Sequence, residues 1–363
     1  MTDVPSTDVP SAIGGDPAPP STFAERRMSQ SGDVKWIITM AASIAIPAAL
    51  TLATVRHKPG DGRDLDTSSP YGYTVSLLLF LFPVLLLFRW RWLHPDAPHH
   101  RRALFWASGV IAMLGFVLDL LFGFMFFEYP NQGATLGIRL PAWSFPDLRW
   151  VPSYLPVEEF GFYIFGALFV ITVYMWADAD WLRDYSVDDY AALARSRGRL
   201  LRIHWPSLLW WSGLALLGVA YKALGPEGGI PGYFLFIMVL GFLPTVLFID
   251  TISPFVNWRA FGFAFVNLTL ISLLWEATLG VPYGWWNYHH HRMLGIRIDA
   301  WSSLPIEAVM LWMVIAWDCV IAYELFRVFF HMDRSIQEAM IGLRTEGARG
   351  TAPHRESTPS RGV

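Results

Sequence analysis

The chain has one cysteine, Cys319, among 363 residues, and only 16% of its residues are charged. A single cysteine cannot form an internal disulfide, so the sequence indicates no disulfide framework. The formal net charge of −3 is too small to predict binding to nucleic acid. Both a disulfide-stabilised scaffold and nucleic-acid recognition are therefore disfavoured.

Signatures of nucleotide and hydrolase chemistry are also missing. No Gly-x-Gly-x-x-Gly follows a predicted strand, and neither a phosphate-binding loop nor a Gly-x-Ser-x-Gly elbow occurs. Three consecutive histidines, His289, His290 and His291, point in diverging directions, and no second cluster completes a metal shell around them. We therefore expect neither a metal site nor a cofactor.

Apolar and aromatic residues dominate instead. Hydrophobic residues make up 54% of the chain, which contains 18 tryptophans. Because a helix needs roughly 20 apolar residues to cross a bilayer, this composition predicts an integral membrane protein. Eight stretches are candidate spans: 34–55, 74–93, 103–127, 154–177, 205–224, 231–252, 256–280 and 303–330.

The predicted fold is an all-α, multi-pass membrane protein with two parallel tandem repeats of four helices. Residues 34–177 form the first repeat, 205–330 form the second, and 178–204 form a basic linker loop. Residues 1–33 and 331–363 are polar and are predicted to be disordered tails. No cleaved signal peptide is expected. The uneven distribution of arginine favours cytoplasmic termini, in a bacterial cytoplasmic membrane.

Two similar segments lie about half a chain apart. Asp119 is followed by Gly123 in the first copy, and Glu276 is followed by Gly280 in the second. Each copy continues with Leu-Gly-Ile-Arg and ends with Leu-Pro-Val/Ile-Glu, at 136–139 and 155–158 in the first and at 294–297 and 304–307 in the second. With four helices each, the copies insert in the same orientation, so a pseudo-two-fold axis along the membrane normal would bring their loops together.

The copies place carboxyl groups in or beside apolar helices, where an ionised acid is costly and is usually retained for a function. Asp119 and Glu276 lie near predicted helix C-termini, where negative charge also opposes the helix dipole. Glu158 and Glu307 follow a proline at a predicted helix start, and a purely structural role in the first turn is an equal alternative for them. We expect the acids to gather toward one membrane face.

Asp318 lies deeper in the last predicted helix, with no counterpart acid in the fourth. A hydrogen bond to another helix is the simpler interpretation, and a functional role is the alternative. Trp275, Trp285, Trp286 and Trp301 are most simply an interfacial aromatic belt. Because aromatic faces attract cations, a second role beside the acids stays open.

This order of residues resembles the membrane lycopene cyclase domain, which occurs as small paired subunits in bacteria and as tandem fusions in archaea and fungi. The matching residues are Asp119, Gly123, Leu136-Gly137 and Leu155-Pro156-Val157-Glu158-Glu159-Phe160 in the first copy, and Trp275-Glu276-Ala277, Gly280, Trp286-Asn287, Leu294-Gly295 and Leu304-Pro305-Ile306-Glu307 in the second. The resemblance covers roughly 103–177 and 256–330. It implies an all-helical membrane enzyme that closes the acyclic ends of lycopene into ionone rings without a tightly bound redox cofactor.

The chain departs from the family pattern at three places. Glu128-Tyr129-Pro130 stands where an aromatic residue and asparagine are expected, 141–152 is an insertion, and Ala308 replaces the second glutamate. The resemblance therefore implies the fold more strongly than the substrate, and another polyene is an alternative to lycopene.

The predicted function is acid-initiated cyclisation of the end groups of lycopene or a related polyene. A protonated carboxyl donates to the terminal double bond, a neighbouring double bond closes a six-membered ring, and a carboxylate removes a ring proton. We predict Glu158 and Glu159 as a pair sharing one proton, with Glu307, Asp119 and Glu276 completing the site. The residues expected to contact the substrate are Trp275, Trp286, Asn287, Phe160 and Phe162.

Two alternatives remain open. Residues 280–284 with Tyr288 also resemble membrane carotenoid hydratases, which would add water to the same cation. A proton-coupled transporter of lipids or small molecules would also combine tandem repeats with membrane-embedded acids. The expected partners are a lipophilic polyene or isoprenoid, the lipid bilayer and other enzymes of carotenoid biosynthesis.

Overall fold

A computed structural model describes residues 69–93, 98–144, 147–226 and 228–342, and isolated helical positions between 38 and 53. Within these residues the chain is mostly helical, and seven helices are long and apolar enough to cross a membrane. The prediction of a multi-pass membrane protein is supported at this level. The first predicted span, 34–55, and the predicted tail 1–33 lie outside the described residues, apart from those isolated positions.

Helices form most of the described chain because a backbone in lipid must satisfy its own hydrogen bonds. In chain order they are α1 (Gly72–Ser76), α2 (Leu78–Leu93), α3 (Pro98–Phe126), α4 (Glu158–Trp176), α5 (Tyr190–Ser196), α6 (Trp205–Leu224), α7 (Gly232–Ile252), α8 (Trp258–Trp275), α9 (Ile306–His331) and α10 (Ile336–Ile341). α1 and α2 share one span. α4 and α8 continue into the π-helical turns Ala177–Trp181 and Glu276–Gly280.

Short strands correct the all-α prediction. They are β1 (Phe127–Glu128), β2 (Arg139–Ser144), β3 (Arg149–Pro156), β4 (Asn287–Tyr288), β5 (Arg297–Ile298) and β6 (Leu304–Pro305). All three pairings, β1 with β4, β2 with β3 and β5 with β6, are antiparallel. The strands belong to the connections between helices, where the backbone needs hydrogen-bond partners from another segment.

Prolines mark the beginnings of α4 and α9. β3 ends at Pro156 and β6 ends at Pro305, and a helix begins within two residues of each. Proline has no N–H to continue strand pairing but is tolerated at the start of a helix. The predicted spans 154–177 and 303–330 therefore began a few residues too early.

α9 lies at the centre of the described bundle and packs against α3, α4, α7 and α8. Around it the core is aromatic. Phe80 of α2 stacks on Trp312 of α9 with ring centroids 6.1 Å apart, and it meets Trp275 of α8 edge-on at 5.4 Å. Large rings bury much apolar area, and these contacts fix how the helices cross.

A buried charge cluster joins the predicted linker to α9, so 178–204 is not a simple loop. Arg327 donates to Asp178 at 3.1 Å and to Glu324 at 3.2 Å. Tyr190, the first residue of α5, donates to the other oxygen of Glu324 at 2.6 Å. These bonds hold the linker, which includes α5, against the end of α9.

The predicted disordered tail beginning at 331 is wrong for its first part. α10 starts with a capping box in which Ser335 and Glu338 bond to each other's backbone N–H. The Ala339 carbonyl accepts from the Leu200 N–H at 2.8 Å. The polar composition of this segment predicted disorder. The helix forms nevertheless, because capping and packing stabilise it without a long apolar run. Residues 343–363 lie outside the described part of the chain.

Candidate functional site

A cavity of about 420 Å³, counting its open mouth, lies where α3, α4, α8 and α9 meet the strands. Three of the predicted acids line it: Asp119 from α3, Glu159 from the first turn of α4, and Glu276 at the end of α8. Apart from Leu311, every other lining residue is aromatic. We call this the acid cavity. The predicted gathering of carboxyls among aromatic side chains is present in the structure for these three residues.

Glu159 lies among phenol groups. The Tyr73 hydroxyl donates to its Oε1 at 2.5 Å, and Tyr129 lines the same cavity. Burial, followed by the nearby carboxyls of Glu159 and Asp119, raises the pKa of the Tyr129 phenol well above its usual value. Tyr129 therefore stays protonated at physiological pH and keeps a proton that it can donate inside the cavity.

Asp119 is only partly satisfied by its surroundings. Tyr163 of α4 lines the same cavity, and the buried Oδ2 of Asp119 has no hydrogen-bond partner among the described residues. The buried hydroxyl of Tyr233, which lines the same cavity, also has none there. A buried polar atom without a partner is costly, so two such atoms in one cavity indicate a place for a ligand or water.

The glycine one turn after each acid has a steric role. A Cβ atom at Gly123 would lie 3.1 Å from Oδ1 of Asp119, and a Cβ atom at Gly280 would overlap the Trp286 ring. Glycine therefore leaves room for the carboxyl in the first copy and for an aromatic wall in the second. This explains the repeated four-residue spacing between acid and glycine.

Glu276 has partners for both of its carboxyl oxygens. Tyr288 donates to Oε2, and Trp312 Nε1 donates to Oε1 at 2.8 Å. Burial, followed by the Glu276 carboxyl, raises the pKa of the Tyr288 phenol well above its usual value, so Tyr288 is a permanent donor. Glu276 is thus more constrained than Asp119.

Glu158 and Glu307 do not line the acid cavity and have equivalent backbone partners. The Leu136 N–H donates to Glu158 at 2.6 Å, and the Leu294 N–H donates to Glu307. The glycines that follow these leucines adopt left-handed φ angles of 77° at Gly137 and 98° at Gly295, which glycine tolerates best. Both glutamates therefore anchor a turn in another segment, which differs from the predicted structural role in the first turn of their own helices.

The predicted proton-sharing pair of Glu158 and Glu159 is corrected by these contacts. Glu158 bonds to Thr74 and Leu136, whereas Glu159 bonds to Tyr73 and faces the cavity. Consecutive side chains in a helix diverge by about 100°, so they seldom share one partner. The acids that share the cavity with Glu159 are Asp119 and Glu276.

Three of the five predicted substrate residues, Trp275, Trp286 and Phe162, line the acid cavity. The other two lie elsewhere. Phe160 packs edge-on against Phe116, with ring centroids 4.6 Å apart, and Asn287 donates to Glu128 at 3.3 Å across the β1–β4 pair.

The sequence interpretation missed four tyrosines and one tryptophan of the cavity, Tyr73, Tyr129, Tyr163, Tyr233 and Trp312, and it named Tyr288 only for the hydratase alternative. One signal was available, because Gly72-Tyr73 and Gly232-Tyr233 occupy similar positions at the starts of α1 and α7. Both pairs are followed by a proline inside an apolar helix: Pro83 in α2 follows the first pair, and Pro244 in α7 follows the second.

A second cavity, of about 660 Å³ counting its mouth, adjoins the first. The two share Phe162, Tyr163, Leu311 and Trp312 as walls. The second lies between α3, α4, α7 and α9 and is otherwise apolar except for Asp318. We call it the Asp318 cavity. The cavity that holds the three acids and the cavity that holds Asp318 therefore adjoin across these shared walls.

The three histidines form no metal centre with other described residues, among which no group of three or more potential ligands is found. The rings of His289 and His291 stack with centroids 5.9 Å apart, and His289 Nδ1 lies 3.2 Å from the Met125 carbonyl oxygen.

No protein-family model, curated protein or solved structure matches the chain. What the site can do chemically is therefore judged from its own side chains.

Proposed function

We propose that the acid cavity protonates and cyclises the end group of a polyene dissolved in the membrane, either lycopene or a related isoprenoid. The observation that carries the proposal is that three carboxyls, those of Asp119, Glu159 and Glu276, line one cavity whose other walls are almost entirely aromatic. Such a cavity combines a proton donor, a proton acceptor and an apolar space for a hydrocarbon.

In the proposed reaction Asp119 is the acid and Glu159 is the base. Asp119 keeps one oxygen without a protein partner in the described structure, so it is free to contact substrate. The Tyr73 hydroxyl donates to Glu159 and holds this carboxyl in the cavity, in position to accept a proton. The proton from Asp119 adds to the terminal double bond, the next double bond attacks the tertiary cation, and Glu159 removes a ring proton. One proton enters and one leaves, so the product is an isomer of the substrate.

The aromatic walls suit the cationic intermediate. Trp275 lies at the centre of the group, with its ring centroid 4.8 Å from that of Trp286 and 5.5 Å from that of Phe162. Ring faces attract a cation, and their bulk excludes water that would trap the cation as an alcohol.

Reciprocal contacts support two tandem repeats related by a pseudo-two-fold axis. The Asn131 N–H donates to the Gly284 carbonyl, and the His289 N–H donates to the Phe126 carbonyl, each at 2.9 Å. The two donor residues, Asn131 and His289, are 158 positions apart in the sequence (289 − 131). The two acceptor residues, Phe126 and Gly284, are also 158 positions apart (284 − 126). Each bond is therefore the image of the other when the copies exchange places, as in the family that the sequence resembles.

The proposed location is the bacterial cytoplasmic membrane, with cytoplasmic termini and the acid cavity toward the outer face. The acids and the strands lie at the same ends of the spans, and the arginine-rich segments lie at the opposite ends. The positive-inside rule then assigns the arginine-rich end to the cytoplasm.

Hydration is the second candidate function, because one specific observation favours it. Asp119 Oδ2 and the Tyr233 hydroxyl are both buried and lack partners among the described residues, and such atoms suit a bound water. A water held there would attack the same cation and give a tertiary alcohol. The transporter alternative has less support, because five residues of α9 just beyond Asp318 are packed inside the protein: Cys319, Val320, Ile321, Tyr323 and Glu324 are at most 1% exposed.

Expression in a host that accumulates lycopene tests the proposal. We expect a new pigment of unchanged mass and altered retention on chromatography, because cyclisation is an isomerisation. A pigment heavier by one water would instead support hydration. Unchanged lycopene beside folded, inserted protein would contradict lycopene as the substrate.

A further inference from the structure

The Asp318 cavity has one polar feature that the proposed reaction does not use. Leu311, Ile315 and Asp318 follow one another at helical spacing along the face of α9 that lines it. Leu114 and Leu118 of α3 and Leu240 of α7 are among its other walls. A single carboxyl is therefore placed in a space that otherwise suits a hydrocarbon chain.

Asp318 lacks the hydrogen bond to another helix that would explain it structurally. Its enclosed Oδ1 has no hydrogen-bond partner among the described residues. Charged or polar groups inside a membrane are costly and mark sites of function when no protein group satisfies them. The missing partner is therefore a group that enters the cavity.

One wall of the Asp318 cavity lies at the surface of the bundle. Leu114 of α3, which lines the cavity, is 46% exposed on an apolar helix. Toward the strands, Phe122 of α3 and Phe236 of α7 meet with ring centroids 5.7 Å apart. An apolar ligand that entered past Leu114 would reach Asp318 without crossing water.

The spacing along α9 sets where the polar group of such a ligand lies. Trp312 belongs to both cavities, and Asp318 follows it by six residues, which is roughly 9 Å along the helix axis. A chain with its reacting end in the acid cavity would thus pass Asp318 on the order of 10 Å away.

We propose that the Asp318 cavity binds an isoprenoid chain bearing a hydroxyl group, and that this hydroxyl donates a hydrogen bond to Asp318. This inference rests on the proposed function for placing the reacting end in the acid cavity. It narrows the substrate class from hydrocarbon polyenes to oxygenated isoprenoids. Lycopene has no hydroxyl, so it would be a poorer substrate than a hydroxylated relative.

Competition binding with a matched pair of ligands tests this inference without requiring turnover. Radiolabelled farnesol is bound to purified full-length protein in lipid nanodiscs and displaced by unlabelled farnesol or by farnesyl methyl ether, which lacks only the donor. We expect the ether to compete about tenfold more weakly, as one lost hydrogen bond to a carboxyl implies. Equal competition by the two ligands would overturn the proposal.

Variants assign the preference to Asp318. Asp318→Leu should weaken farnesol binding about tenfold and abolish the preference over the ether, and Asp318→Asn should retain part of it. Asp250→Asn, at the far end of α7 in an ion pair with Arg202, should change neither. A preference that persists in well-folded Asp318→Leu would contradict the proposal.

One further variant separates this inference from the proposed function. Asp119→Asn should lower turnover by about 10²–10⁴-fold but keep the farnesol preference, because Asp119 lies in the acid cavity and is not a wall of the Asp318 cavity. Loss of the preference in Asp119→Asn would show that the two cavities do not bind independently and would overturn the assignment to Asp318.

Discussion

At the scale of single residues, the five predicted acids differ in what holds them. Asp119, Glu159 and Glu276 face a common cavity, whereas Glu158 and Glu307 accept backbone N–H groups from Leu136 and Leu294. Sequence position alone could not separate these roles, because Glu158 and Glu159 are neighbours in the chain. Whether Glu158 or Glu159 faces the cavity depends on the direction in which each side chain leaves the first turn of α4.

Isosteric variants distinguish the two groups. Asp119→Asn and Glu159→Gln should each lower turnover per folded protein by about 10²–10⁴-fold, the usual effect of losing a general acid or base. Glu158→Gln should lower turnover by at most about threefold while reducing the melting temperature, because it loosens the turn at Leu136. Pigment yield normalised to detergent-extracted, monodisperse protein measures both effects. Full turnover in Glu159→Gln would contradict the assigned base.

The phenols were harder to predict than the acids. A carboxyl in an apolar run is conspicuous in a sequence because it is costly there, but a tyrosine is common in membrane helices. Tyr73 and Tyr163 become significant only once folding places their hydroxyls beside Glu159 and Asp119.

At the scale of elements, the apolar runs identified the described spans, and the prolines placed two helix starts to within a few residues. The strands escaped prediction. β2 and β3 lie in the segment read as an insertion, 141–152, and its flanks, and their pairing depends on contacts between segments. The sequence repeat was recognisable because Leu-Gly and Leu-Pro-Val/Ile-Glu occur in both copies. In each copy the glutamate of the second motif accepts a hydrogen bond from the leucine N–H of the first.

The Arg327 cluster should stabilise the end of the bundle away from the acid cavity. Arg327→Met leaves the buried carboxyls of Asp178 and Glu324 without their cation, so we expect a loss of about 3–5 kcal/mol in the free energy of unfolding. Denaturation in detergent, followed by circular dichroism, measures it. The control Arg202→Met removes a solvent-exposed ion pair with Asp250 and should cost at most about 1 kcal/mol. Equal losses in both variants would refute a structural role for the cluster.

At the scale of the whole molecule, the sequence predicted acids gathered at one membrane face beside an apolar space, and in the described structure three of these acids line one cavity. The sequence did not predict two adjoining cavities. A cavity forms where side chains leave space between packed helices, and that depends on how the helices pack. Gly115 and Gly166, which line the Asp318 cavity on different helices, carry no sequence signal of that role.

Filling the Asp318 cavity should block function without unfolding the protein. A Cβ atom at Gly166 meets nothing within 4 Å, so Gly166→Leu adds bulk to empty space and also improves helix propensity. We expect turnover to fall at least about tenfold, with an unchanged or higher melting temperature, because the ligand loses its place. Gly213→Leu, on an exposed face of α6 with equal room, is the control and should retain turnover. Normal turnover in folded Gly166→Leu would exclude this cavity from the substrate path.

The central claim is that a carboxyl of the acid cavity gives a proton to a double bond and that a ring forms from the resulting cation. Conversion of polyene in D₂O by purified protein in nanodiscs, followed by mass spectrometry, tests it most directly. We predict that each ring formed carries one deuterium in place of one hydrogen, and that Asp119→Asn forms no such product. A product without deuterium, a product carrying an added water, or no product from folded wild-type protein with either lycopene or a hydroxylated relative would contradict it.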